Sequence, residues 1–144
     1  MTKIVELWHK QQLPIKDGIY FASGQSIALD AVFFPQLSIH VAEQFDLDVI
    51  LNNDADNLTD IDIFDKIILA NGDQCIIGEG SYGSEGFIAY LSANQDLIWV
   101  IYFEKSNPFI KVLPLTNQSI MVESSANFQL IIELANPVNL KLIK

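Results

Sequence analysis

Seven consecutive apolar residues, Leu97, Ile98, Trp99, Val100, Ile101, Tyr102 and Phe103, constrain what this chain can fold into more than any other stretch. The run is far shorter than the ~20 residues a membrane-spanning helix requires. Its aromatic and β-branched content favours a strand, in which successive side chains point to opposite faces. Leu97, Trp99, Ile101 and Phe103 would then lie on one side, and Ile98, Val100 and Tyr102 on the other. Both faces are apolar, so both must be covered. The strand therefore belongs in the middle of a sheet that is packed by another layer on each face or curled into a barrel.

The residues just before it form the other arm of a hairpin. Residues 86–91 read as one strand, 92–96 as the turn and 97–104 as the second strand. Upstream, Gly78, Gly80, Gly83 and Gly86 are four of the seven glycines in the chain, and they bracket Glu79, Tyr82 and Glu85. The spacing from Gly78 to Gly83 matches G-x-G-x-x-G, yet a dinucleotide site needs a helix next, and the following residues read as a strand. A kinase-type loop fails as well, because Glu85 stands where valine is required and no H-R-D or D-F-G sequence occurs. Glu79 and Glu85 would also repel phosphate. The glycines are better explained by positive φ and close backbone approach in a hairpin loop or bulge.

The same reading along the chain predicts a mostly β protein, an antiparallel sandwich or barrel-like meander with one or two short helices. Residues 2–12 read as a short helix capped by Thr2, with a period-two strand as the alternative, and Pro14 stops the segment in either case. Strands are expected over 18–22, 26–34, 37–41 and 47–51, with Pro35 ending the second or placing a bulge at an edge. Residues 52–62, NNDADNLTDID, read as an exposed loop, since aspartate and asparagine favour turns. Residues 61–69 suit a short helix or a strand. A strand over 74–77 follows the Asn71-Gly72 turn, and four more are expected over 109–113, 119–123, 127–134 and 138–143. No repeat, low-complexity tract or linker divides the 144 residues, so a single domain over 1–144 is expected.

Charge is unevenly distributed. The net charge is −10, but the stretch from Glu43 to Glu104 holds thirteen acids and one base, Lys66. All eight basic residues are lysines. Without arginine for bidentate phosphate contacts, and with this charge, direct binding of nucleic acid is disfavoured and a basic partner is favoured. Half of the residues are hydrophobic, which excludes a disordered chain. The N-terminal MTKIVELWHKQQ shows no apolar core of a secretory signal and no lipidation motif, so a cytoplasmic protein without membrane association is expected.

Candidate chemistry is sparse. Cys75 is the only cysteine, which forbids an internal disulfide and multi-cysteine metal sites and suits a small buried residue on a strand. His9 and His40 lack a second ligand at a metal spacing. Asp54, Asp56, Asp60, Asp62 and Asp65 faintly resemble a calcium loop, but Thr59 occupies the glycine position and Asp65 the place of the bidentate glutamate. No G-x-S-x-G occurs, and no cofactor or enzymatic activity is expected.

The sequences GSYGSEGFIAYL, LIWVIYFEKSNPF and NFQLIIEL resemble small immunity proteins of bacterial contact-dependent growth inhibition and polymorphic toxin systems. That resemblance implies a cytoplasmic, non-enzymatic, often acidic protein that binds a cognate toxin domain, frequently a nuclease. Nucleases are usually basic around the active site, so an acidic face can steer encounter and cover that surface. The expected contact residues are Asp54, Asp56, Asp60, Asp62, Asp65, Glu79 and Glu85, with Tyr82 as an aromatic anchor. Two other readings share some of these features. One is a small β-barrel holding a small-molecule ligand or calcium in a glycine-lined mouth, and the other is an acidic DNA mimic that inhibits a nucleic-acid-binding protein.

Overall fold

A computed structural model describes residues 1–143. Eight strands form one sheet: β1 (Gln12–Pro14), β2 (Gly18–Phe21), β3 (Ser26–Val32), β4 (Ser38–Phe45), β5 (Leu58–Ile68), β6 (Gln74–Gly80), β7 (Gly86–Leu91) and β8 (Leu97–Phe103). Their order is β1-β5-β6-β7-β8-β2-β3-β4. A second sheet, in the order β12-β11-β10-β9, holds β9 (Phe109–Thr116), β10 (Ser119–Ser124), β11 (Gln129–Glu133) and β12 (Leu140–Ile143). Two short helices complete the fold, α1 (Lys3–His9) and α2 (Leu47–Asn53). Strand pairing is antiparallel throughout. Neither sheet closes on itself, so the architecture is a sandwich and the barrel alternative is set aside.

The large sheet is the middle layer of three. One face packs on the small sheet through Trp99, Ile101 and Phe103 of β8, Ile88 and Tyr90 of β7, and Phe109, Val122, Leu130 and Ile132 opposite them. The other face packs on the helices through Val100 and Tyr102 of β8, Phe87 and Ala89 of β7, Ile4 and Leu7 of α1, and Leu47 and Leu51 of α2. The double coverage demanded by the apolar run is thus met by a different layer on each side. Trp99 also ties two layers together, since its Nε1–H donates to the Leu134 carbonyl at 2.9 Å in the buried interior.

Two residues of the run depart from strict alternation. The β7–β8 pairing shifts register between Tyr90 and Leu91, so Trp99 faces Tyr90 and Leu97 faces Leu91, with Ile98 left over. This bulge turns Leu97 into the helix-side core and leaves Ile98 36% exposed.

The segment expected as a strand over 47–51 is helix α2. Leu47, Val49 and Leu51 satisfy a period of two, but Leu47 and Leu51 also share one helical face, and these are the two that are buried. Asp46 decides the matter as an N-cap: its Oδ1 accepts from Asp48 N–H at 2.9 Å and Val49 N–H at 3.4 Å. The expected loop over 52–62 is correspondingly short, because α2 runs to Asn53 and β5 begins at Leu58. Residues 61–69, open between helix and strand, lie almost entirely on β5. The β2–β3 hairpin, the β7–β8 hairpin and the four C-terminal strands fall where the sequence pattern puts them, whereas helix α1 ends at His9, short of the expected 2–12, because Gln12–Pro14 pair with β5 as β1. Thr2 precedes the helix without a side-chain capping bond, its hydroxyl donating instead to the Ala22 carbonyl at 2.8 Å. Among the described residues no helix is long and apolar enough to cross a membrane.

Ile98 and Ile101 are the same residue type three positions apart on one strand but opposite in environment. Ile101→Ala should lower unfolding free energy by about 2–5 kcal/mol, whereas Ile98→Ala should cost less than about 1 kcal/mol. Urea denaturation of the two variants measures the difference, and equal losses would refute the bulged register.

Candidate partner-binding surface

Of the thirteen acids from Glu43 to Glu104, Asp60, Asp62 and Asp65 lie on β5, Glu79 on β6, and Asp54 and Asp56 in the connection that leads into β5. Asp54 closes α2, its N–H donating to the Ile50 carbonyl, and Asp56 sits in the turn that leads into β5. Along β5, Thr59 and Ile61 are buried while Asp60, Asp62 and Asp65 are exposed. Alternation accounts for the first part of this pattern, since Asp60 and Asp62 occupy the positions between inward residues.

Register then brings like charges together. Asp62 lies directly opposite Glu79 on β6. Such a cross-strand pair is unfavourable by roughly 0.2–1 kcal/mol. No lysine relieves it: the single ion pair among the described residues joins Lys3 to Glu6 on α1. Asp60 belongs to the same face, two residues before Asp62, and accepts from Gln12 Nε2 at 3.2 Å. Asp65 follows a register shift between Ile63 and Asp65 that leaves Phe64 without a β6 partner. The Asp65 carboxylate accepts from the Lys66 N–H at 2.8 Å.

Tyr82 stands at the tip of the β6–β7 turn and is 70% exposed. Glu85 is not on that surface. It is fully buried, which removes it from the expected contact set and gives it another role. Its Oε1 accepts from Thr59 Oγ1–H at 3.0 Å and from Tyr82 N–H at 3.0 Å, and its Oε2 accepts from the Tyr102 hydroxyl. Thr59 Oγ1 in turn accepts from Ser81 N–H at 3.0 Å. Burial first, then the bond to Glu85, push the Tyr102 phenol well above its ordinary range, so it remains a donor. Ser81 and Ser84 hydroxyls donate to the carbonyls of Asp60 and Glu104, which fixes the turn to β5 and to the end of β8.

Gly80 makes this cluster possible. A Cβ at that position would fall inside the Glu85 carboxyl group. Gly78 similarly lets the Asp62 carbonyl and the Phe87 ring close in on the β6 backbone. At these two positions the glycines serve close approach, in line with the structural reading of the G-x-G-x-x-G spacing, and the segment after the turn is the strand β7.

Charge alone groups Glu85 with Glu79 and so hides the buried cluster. Periodicity carries the opposite signal: Glu85 is in phase with Phe87, Ala89 and Leu91, which all face the helix-side core. Elsewhere, Cys75 is buried in the sandwich, and burial pushes its thiol up to about 12, which leaves it protonated and unreactive. The Tyr90 hydroxyl donates to Asp73 Oδ2 at 2.5 Å and is likewise pushed up to about 12, mainly by burial. Among the described residues no three His, Cys, Asp or Glu side chains converge as metal ligands would. No family model matches this chain, and it matches no curated protein and no solved structure.

Buried and exposed acids should respond oppositely to removal. Glu85→Ala strands three donors in the interior and should destabilise the protein by about 3 kcal/mol. Asp62→Asn relieves the pair with Glu79 and should be neutral or stabilising by about 0.2–0.5 kcal/mol. Chemical denaturation at pH 7 tests both; a neutral Glu85→Ala would contradict the buried network.

Proposed function

We propose that this chain is a binding protein of the immunity type, a cytoplasmic, non-enzymatic partner that neutralises a cognate toxin domain by covering its active or substrate-binding surface. The observation that carries this reading is the uncompensated acidic strip of β5 and β6, where Asp62 and Glu79 oppose each other next to Asp60 and Asp65. Such a strip costs stability in the free protein and is relieved by a cationic surface. A toxin that acts on nucleic acid must attract phosphate, so a basic nuclease domain has the complementary charge. Asp54 and Asp56 extend the strip toward α2, and Tyr82 supplies an exposed aromatic side chain on a turn that is already ordered. Preordering limits the entropy lost on association.

A toxin domain encoded beside this chain is the partner to test, by co-expression and by binding kinetics. Charge reversal at Asp54, Asp56, Asp60 and Asp62 should slow association by about 10- to 100-fold at low salt and flatten its salt dependence. Unchanged kinetics would remove this strip from the interface. A toxin that neither binds the wild-type protein nor loses activity beside it would end the immunity reading.

A further inference from the structure

Strand β5 is longer than the strand that covers it. β1 pairs only with Leu58, Thr59 and Asp60, and the Gln11 carbonyl accepts from Ile61 N–H. From Asp62 to Ile68 the described residues pair β5 with β6 alone. The Lys66 N–H shows the consequence, since it donates to the side chain of Asp65 instead of to a neighbouring strand. Three large apolar residues on this open length are exposed: Ile63 at 52%, Phe64 at 48% and Ile68 at 68%.

The register sorts the side chains of the open length by face. Asp62, Asp65 and Ile67 share the face of Glu79, Ile77 and Cys75, and Ile63, Lys66 and Ile68 share the face of Gly78, Ile76 and Gln74. A strand added to β5 would place its own residues alternately against these two sets. One set asks mainly for cations, the other mainly for apolar groups. A second copy of this chain answers poorly, because Asp62 and Asp65 of one copy would meet the same acidic strip of the other. We propose that the edge of β5 from Asp62 to Ile68 is a docking strand that takes an extended segment of alternating basic and apolar residues from the partner by strand addition. This rests on the reading of the acidic strip as a partner surface and specifies how the backbone takes part.

The probe is the heptapeptide acetyl-KVKVKVK-amide, with two forms N-methylated at alternate residues in opposite phases. Amide hydrogen exchange and titration at low salt, on the full chain, give the readout. The parent peptide should slow exchange of the Ile63, Lys66 and Ile68 amides, and the form methylated on its β5-facing nitrogens should bind at least ten-fold more weakly while the other is retained. Lys66→Pro separates backbone from charge. It removes an edge N–H that β6 does not use and makes the protein more acidic, so strand addition requires weaker binding where electrostatics alone requires equal or tighter binding. Circular dichroism checks that this variant folds; if it does not, the methylated peptides decide.

Equal binding of all three peptides without protection of β5 would overturn strand addition and leave the acidic-surface reading intact. No binding of any peptide at low salt would overturn both. Concentration-dependent protection of the β5 amides without peptide would assign the edge to a second copy and overturn the proposal.

Discussion

Both faces of the middle of the large sheet are buried, and every other layer is placed by that requirement. Trp99, Ile101 and Phe103 can be dry only if the C-terminal meander folds back over them, and Val100 and Tyr102 only if the two helices lie across the opposite side. Burying side chains of this size contributes ~1.5–3 kcal/mol each, so the central strands alone supply a large part of the driving force. The helices are too short to be stable in isolation and owe their existence to that face. Each contributes two buried residues, Ile4 with Leu7 and Leu47 with Leu51.

A polar group inside the helix-side core then connects the interior to the acidic surface. Glu85 lies at the start of the same row as Phe87 and Ala89, and it is tolerated because Thr59, Tyr82 and Tyr102 supply three donors. Two of those donors come from the segments that carry the strip, the buried Thr59 on β5 and the Tyr82 N–H in the turn after β6. The geometry of Tyr82 and of the Thr59 end of β5 is therefore set from beneath by a buried carboxylate. Gly80 is the steric condition for that arrangement, which gives a glycine in a strand a definite physical purpose.

Much of the fold was legible because the apolar pattern is strong: a doubly buried strand announces a middle layer, and turn residues mark the meander. Two of the illegible parts share one cause, a period-two pattern that a short helix or a bulge can also satisfy. Leu47 to Leu51 supports both periods, and only the Asp46 cap, a local hydrogen-bonding effect, selects the helix. Leu97 moves to the helix-side core and Ile98 is left exposed because a single extra residue in β8 breaks the alternation at that end. Charge was a good guide to the exposed aspartates and a poor one for Glu85. A carboxylate is placed by the phase of its strand before it is placed by its preference for water, provided that donors await it.

The acidity of β5 also bears on how an open-edged sandwich can discourage pairing between copies. The large sheet ends in β1, which is three residues long, and so leaves most of β5 as a working edge beside exposed Ile63, Phe64 and Ile68. Such an edge invites pairing with any strand. The bulge at Phe64 distorts the ladder, and Asp62 and Asp65 make like copies repel. The same charges that exclude a copy do not exclude a cationic strand; they attract it. One arrangement can thus discourage self-association and, under the proposed function, select a partner of opposite charge, because a repulsive element against one occupant is an attractive element toward its complement.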